Sequence, residues 1–461
     1  MKTYRASLLV PVFAAVALGS ACQSDETAAP GGVSGGGSGG AVAHAGSGSS
    51  KAGSGGRAGS DESAAGSAGA GAPAGVAGSA GADEGDTQGG AGGDRASHGD
   101  AGSAGDVGGS AGSAGDAGEP GAEVQRYAYV ATFLNGLSPV SIDPATGRLS
   151  KLTATPINPG AQLYAVSVDP AQRFVYTAAQ GTKKINSYAI AADGGLPAEP
   201  NSSITIPGTP TSLTLDARGR FAYVASSDAD KSIYAFKIDA VTGALTAAGE
   251  PVQIEATSPA YVAGDPSGHF VYASQNGVFG IRGYRVDQTT GALSELPDSP
   301  FGLTKVFAGA IAFHPAGGFL FSSGNGLNAF AVDAGSGALT LVEGSPFSTQ
   351  VASDPSATNL VLEPRGKYLY ATSFLNPPRV FGFAIDSSNG KLTPVPGEPI
   401  KGGSPYSLGV DPSGRFVFAG HDDGTTSVFL LQRSDGTLHE VDGSPFQIGG
   451  LQPEFAFASA H

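Results

Sequence analysis

The sequence predicts an all-β protein: a seven-bladed β-propeller with four-stranded blades, closed by the C-terminal strand completing the N-terminal blade. Three observations carry this prediction. A unit of about 48 residues repeats from Tyr127 onward. The unit alternates apolar and polar residues over short runs bounded by turn residues, and no helical periodicity of useful length occurs. The two ends of the repeat region are complementary partial units.

The most legible part of the unit is an apolar strand, a turn of the type Asp-Pro-x-Gly, and then a second strand of the type Arg-Phe-Val-Tyr. Its first position recurs at 169, 216, 265, 314, 363 and 411. Pro presets the turn dihedral and Gly permits a positive φ, so this segment is a hairpin turn between two strands.

A second turn follows in each unit, for example Asp239 to Leu245, with Thr242-Gly243 at its centre. Several units close with Gly-Ser-Pro-Phe, as at 344–347 and 443–446. Each unit is therefore predicted to contain four short strands, named a to d from the inside of the ring outward.

The first unit begins at strand b with residues 126–130 and lacks an inner strand. Residues 453–458 at the C-terminus match an inner strand a such as 405–410. Six complete units plus one shared unit give seven blades, and radial repetition removes long exposed edges.

The first 124 residues have a different character. Basic Lys2 and Arg5 precede an apolar run at 7–18, too short to span a bilayer, and then Cys22, the only cysteine. This arrangement resembles a bacterial lipoprotein signal; ordinary cleavage after Ala21 is the alternative. We expect a signal peptide at 1–21, lipidated Cys22 plus a disordered Gly/Ala/Ser-rich linker at 22–124, and the propeller at 125–461.

The composition argues against several classes of function and site. The net charge of −15 argues against a nucleic-acid partner, and one cysteine excludes a disulfide framework or a cysteine-based metal site. We expect no cofactor and no metal, a monomer, and membrane contact through the lipid anchor only. The expected location is the cell envelope, as an outer-membrane lipoprotein or at the cell surface or in the periplasm.

The two turns and the Gly-Ser-Pro-Phe closure resemble the seven-bladed β-propeller lactonase family, which includes 6-phosphogluconolactonases and a fungal muconate-cyclising enzyme. The resemblance covers nearly all of residues 125–461 and implies lactone hydrolysis. In active members a His tends to lie five residues before the Asp of the Asp-Pro turn. The same ring of positions at the mouth of the central channel here contains no His: Tyr164, Thr211, Ala260, Gly309, Thr358, Tyr406 and Glu454.

The other family elements are also changed. An Asp-Leu-Gly-x-Asp-Arg element is matched best by residues 227–231, with Lys231 for Arg. Where the family has Arg-His and then a Glu, this chain has Ala260-Tyr261 and, near the second place, Asn276. The resemblance therefore implies that most of the family's acid, base and anion-binding groups are missing.

The remaining candidate site residues are identified by their position in the inner strand of each repeat. Tyr164, Tyr261 and Tyr406 share the channel mouth, where they can stack on a sugar or aromatic ligand or simply plug the channel; Thr211 belongs to the same ring. Glu454 is the one carboxylate of the ring and a catalytic candidate.

Three further residues lie in loops between strands b and c. His421, before Asp422-Asp423, is either an acid/base group or part of a solvated turn. Asp228 and Asp230 are spaced like oxygen ligands, although a calcium loop needs more of them.

Two hypotheses follow. The first is a lipid-anchored module that binds a small-molecule or protein ligand at the channel mouth and has lost the family's catalytic residues. The second is a lactone hydrolase, similar to 6-phosphogluconolactonase, acting on a sugar-type or carboxylated lactone.

Overall fold

Seven antiparallel sheets form the blades of a β-propeller, as predicted. The computed structural model describes residues 124–157, 162–228, 230–254, 259–275, 280–302, 308–348, 356–373, 378–397, 400–401 and 403–459. The predicted signal peptide, Cys22 and nearly all of the predicted linker lie outside these residues. No helix among them is long and apolar enough to cross a membrane.

The first three blades have the following strands. Blade 1 contains β1 (Arg126–Thr132), β2 (Gly136–Ile142) and β3 (Leu149–Lys151). Blade 2 contains β4 (Leu163–Val168), β5 (Phe174–Ala179), β6 (Lys184–Ala189) and β7 (Ser202–Thr205). Blade 3 contains β8 (Thr209–Leu215), β9 (Phe221–Ser227), β10 (Ser232–Ile238) and β11 (Leu245–Ala247), with the short β12 (Val252–Gln253) against β10.

Blades 4 and 5 continue the pattern. Blade 4 contains β13 (Pro259–Gly264), β14 (Phe270–Gln275), β15 (Ile281–Val286) and β16 (Leu293–Glu295). Blade 5 contains β17 (Ala308–Phe313), β18 (Phe319–Asn325), β19 (Asn328–Val332) and β20 (Leu339–Leu341), with β21 (Ser356–Ala357) against β18.

Blades 6 and 7 complete the chain. Blade 6 contains β22 (Asn359–Leu362), β23 (Tyr368–Ser373), β24 (Arg379–Ile385) and β25 (Leu392–Pro394), with β26 (Ile400–Lys401) against β24. Blade 7 contains β27 (Pro405–Val410), β28 (Phe416–His421), β29 (Thr425–Leu431) and β30 (Leu438–Glu440), with β31 (Phe446–Gln447) against β29; β32 (Glu454–Ser459) ends the described chain.

The predicted closure is confirmed. Strand β32 pairs antiparallel with β1, with Tyr129 opposite Ala456 and Ala131 opposite Glu454. The inner strands contact one another in the cyclic order β32, β4, β8, β13, β17, β22, β27 and back to β32. The chain therefore closes the ring by sharing blade 1 between its two ends.

The acidic residue of the first turn holds that turn together. In blade 2 one carboxylate oxygen of Asp169 accepts the backbone N–H groups of Arg173 and Phe174 at 2.5 and 2.7 Å. Asp411 is fully buried and accepts the corresponding N–H groups in blade 7. These carboxylates recur because buried backbone donors must be satisfied.

The aromatic residues after this turn join neighbouring blades. Phe174 packs on Gly243 of the next blade, and the hydroxyl of Tyr176 donates to the carbonyl of the same glycine at 3.1 Å. Gly243 has a φ of +70°, and a Cβ there would lie 2.5 Å from the Phe174 ring. The same ring-on-glycine contact occurs at Gly147, Gly194, Gly291, Gly337, Gly390 and Gly436. The aromatic residues and turn glycines that repeat most clearly in the sequence therefore form the contacts between neighbouring blades.

Candidate functional site

Bulges in the inner strands define the ring at the channel mouth. In β4 the pairing with β5 shifts between Leu163 and Ala165, so Tyr164 is the extra residue. Tyr406 is extra in β27 in the same way, and related shifts include Thr211 in β8, Ala260 and Tyr261 in β13, and Gly309 in β17. A bulge re-aims the extra side chain.

Three predicted residues meet in a small crevice, called here the mouth crevice. It is a narrow cleft lined by Leu163, Tyr164, Tyr406, Gln452 and Glu454. The hydroxyl of Tyr406 donates to that of Tyr164 at 3.3 Å. The structure thus brings together a carboxyl group and two phenols from three blades.

Burial controls the charge of these groups. It raises the pKa of the Glu454 carboxyl to about 8, and no cationic side chain of the described residues opposes the shift. Burial also raises the pKa of Tyr164, Tyr261 and Tyr406, with a further contribution from Glu454 in each case. At neutral pH all four groups are therefore predominantly uncharged and can donate hydrogen bonds.

Gln452 is a site residue that the sequence argument missed. Its Oε1 is buried without a hydrogen-bond partner, its backbone has a φ of +53°, and it lines the mouth crevice. A buried acceptor without a partner is costly unless a ligand or water supplies a donor. The only available signal was its position two residues before Glu454.

An apolar rim adjoins the crevice. The backbone N–H of Phe133 donates to the carbonyl of Leu451 at 2.9 Å, and this contact brings the β1–β2 turn against the segment that leads into Gln452. Leu134 is 60% exposed and Leu451 41% exposed. Both leucines leave apolar surface open beside the polar groups.

Hydroxyl groups elsewhere in the ring are used for structure. The Thr211 hydroxyl donates to the carbonyl of Pro259 in the neighbouring blade at 3.1 Å. The Thr358 hydroxyl hydrogen bonds to that of Thr372 at 3.0 Å. The predicted ligand role of Thr211 is untested, but its hydroxyl already has a protein partner.

The predicted place of His421 is wrong in one respect. It is the last residue of strand β28 rather than a loop residue, and it is only 3% exposed. Its Nε2 lies 2.8 Å from the Ser427 hydroxyl, and burial lowers its pKa. Neighbouring Asp423 accepts the N–H and hydroxyl of Thr425, which is ordinary turn chemistry.

Asp228 and Asp230 do not converge on one ligand. Asp228 accepts the Thr209 hydroxyl, whereas Asp230 accepts the hydroxyls of Ser226 at 2.8 Å and Tyr234 at 2.5 Å. Within the described part of the chain, no group of three or more His, Cys, Asp or Glu residues could hold a metal ion. Asn276 lies outside the described residues.

Sequence comparison identifies the class of protein. Residues 122–263 and 255–450 match the family described as Lactonase, 7-bladed beta-propeller, so the chain belongs to that family. A 6-phosphogluconolactonase of Pectobacterium carotovorum subsp. carotovorum (strain PC1) is 26% identical over 311 residues, which cover 64% of this chain and 88% of that relative.

Solved structures agree on the fold. A candidate 6-phosphogluconolactonase from Bacteroides fragilis NCTC 9343 has a TM-score of 0.63 at 20% identity, covering 74% of this chain and all of its own. The periplasmic gluconolactonase of Pseudomonas aeruginosa has a TM-score of 0.58 at 20% identity, covering 73% and 100%. At this identity the likeness extends to the fold alone.

Proposed function

We propose that this propeller hydrolyses uncharged lactones at the mouth crevice, with Glu454 as the acid–base group. The observation that carries the proposal is a carboxyl group with a pKa of about 8 beside paired phenols. A carboxyl group tuned toward neutral pH suits general acid–base catalysis. Family membership and the related 6-phosphogluconolactonase support the reaction class.

The reaction needs two kinds of group. Ionised Glu454 accepts a proton from water as the water oxygen bonds to the lactone carbonyl carbon. A phenol hydroxyl, from Tyr164 or Tyr406, donates a hydrogen bond to the carbonyl oxygen as it becomes an oxyanion. The ring carbon–oxygen bond then breaks, and Glu454 returns its proton to the leaving alkoxide, which gives a hydroxy acid.

The charge of the site favours an uncharged substrate. Four groups near the mouth are predominantly neutral at pH 7, and the described crevice residues include no Lys or Arg. A phosphate group would enter this partly dry site without a cation to pair with it. Gln452 Oε1 would accept a hydrogen bond from a hydroxyl group of an uncharged sugar-type lactone.

The other hypothesis is ligand binding without turnover, and the absence of His from the ring favours it. In that case the phenols and Gln452 hold the ligand, and Glu454 only donates a hydrogen bond. We also propose export and lipid anchoring through Cys22, in line with its position after the apolar run.

One set of measurements separates these proposals. Purified protein is assayed with glucono-δ-lactone and its 6-phosphate against the buffer rate, beside Glu454→Gln and the control Asp422→Asn, an exposed carboxylate. We expect turnover of the uncharged lactone that rises with pH through about 8 and is lost only in Glu454→Gln. Turnover unchanged in Glu454→Gln contradicts the mechanism. Calorimetric binding of the uncharged lactone without turnover favours the binding module.

A further inference from the structure

A second cavity lies between blades 6 and 7. We call it the blade pocket; its volume is about 200 Å³. From blade 6 it is lined by residues of β23, β24 and β26 and of the segment after β25, among them Tyr370, Gly382, Val395 and Ile400. From blade 7 it is lined by the β29–β30 turn and by β30, among them Thr437 and His439. It shares no lining residue with the mouth crevice.

In blade 4 the corresponding space is filled by side chains. Its strand β15 carries Gly283, where an added Cβ would lie 2.9 Å from Leu296 and 3.0 Å from the ring of Phe301. Phe301 is held in place by paired backbone hydrogen bonds to Ile281, at 2.8 and 2.9 Å. The glycine makes room, and the leucine and phenylalanine side chains occupy it.

Blade 6 has the glycine without the large side chains. Gly382 corresponds to Gly283, since Val395 donates to its carbonyl at 3.0 Å as Leu296 does to that of Gly283 at 2.9 Å. Ile400 pairs with Val380 and so stands where blade 4 has its phenylalanine. Val replaces Leu and Ile replaces Phe while the glycine is kept. Val395 covers Gly382, since a Cβ added there would lie 2.6 Å from its Cγ2, and the pocket of about 200 Å³ lies beside these smaller side chains.

We propose that the blade pocket binds an uncharged small molecule with a single aromatic ring system, monocyclic or fused bicyclic. The phenylalanine of blade 4 shows that a six-membered ring fits this architecture. A cavity of about 150 Å³ lined by aliphatic and aromatic residues is enough to bind benzene. The lining residues include no Asp, Glu, Lys or Arg, so a charged group would be left unpaired.

The pocket also has a polar edge. His439 is exposed, and its Nε2 lies 3.5 Å from the Thr437 hydroxyl. These groups can hydrogen bond to a hydroxyl or N–H substituent at the open side. The Tyr370 hydroxyl is committed to the carbonyl of Gly436 at 2.8 Å and holds the two blades together. The ligand class is therefore phenol-like or indole-like.

Titration of the full chain with phenol and indole tests this proposal, with benzoate as the charged comparison. We expect saturable binding of about one equivalent, at least tenfold weaker for benzoate, observed by calorimetry and by a rise in the thermal midpoint. Ile400→Phe should fill the space, weaken binding at least tenfold and raise the midpoint of the unliganded protein. Val395→Leu is a smaller filling change and should weaken binding in the same direction.

The reciprocal change is made in blade 4. Phe301→Ile combined with Leu296→Val should create a second site and raise the stoichiometry toward two. Glu454→Gln should leave binding of phenol and indole unchanged, so the outcome is independent of lactone hydrolysis. Absence of saturable binding, or binding that is unchanged in both Ile400→Phe and Val395→Leu, overturns the proposal.

Discussion

The shared blade makes a quantitative prediction about ring closure. Deleting residues 453–461 removes β32, which pairs with β1 from Arg126 to Ala131. The deletion also removes Phe455 and Phe457, whose rings lie 6.2 and 5.1 Å from that of Phe418. Both side chains are half-buried, so each contributes less than the cost of truncating a buried Phe, about 3–5 kcal/mol. Each lost backbone hydrogen bond costs about 1 kcal/mol.

The total loss is on the order of 10 kcal/mol, which approaches the whole stability of a typical domain, about 5–15 kcal/mol. We therefore expect the truncated chain to lack a cooperative unfolding transition in urea, followed by circular dichroism. Deleting only residues 460–461, which follow β32, is the matched control and should leave the midpoint unchanged. A normal transition in the longer truncation would refute closure through β32.

Three further predictions concern single residues. The pKa of Glu454 is about 8 in the fold and about 4.3 in an unfolded chain. The folded state therefore binds the extra proton between these values, and the unfolding free energy should fall as pH rises from about 4.5 to 8; urea titrations should show this fall flattened in Glu454→Gln. Gly243→Ala combines a φ of +70° with a clash against Phe174, so it should lower stability by about 1–3 kcal/mol in thermal melts, unlike Gly335→Ala in an open turn. Cys22→Ser should release the protein from membranes into the soluble fraction; a variant that stays bound after a high-salt wash contradicts lipid anchoring.

The fold was predictable because its repeated residues make short-range contacts, either within one turn or between neighbouring blades. The turn carboxylates bind backbone N–H groups within five residues, as Asp169 does. The aromatic residue and the turn glycine recur because they meet between every pair of neighbouring blades, as Phe174 and Gly243 do. Such pairs leave a period in the sequence, and the period gives the number of blades.

The candidate site was predictable only in part. Register placed Tyr164, Tyr406 and Glu454 at one end of the channel, and the structure brings these three into one crevice. The position of Gln452 in the repeat did not indicate that its buried Oε1 lies in the same crevice. That placement depends on the left-handed backbone conformation of Gln452. The tertiary burial that raises the Glu454 pKa to about 8 has no local sequence signal either.

Ring closure and chemistry depend on the same strand. The inner-strand position that faces the channel mouth holds a phenol or a small or hydroxyl side chain in six blades and a carboxyl group in only one. That carboxyl group, Glu454, is on β32, opposite Ala131. The proposed acid–base group therefore reaches the phenols of blades 2 and 7 only when the chain ends pair. Because β32 closes the ring between β27 and β4, a change that loosens the β1–β32 pairing should reduce lactone turnover before the remaining blades unfold.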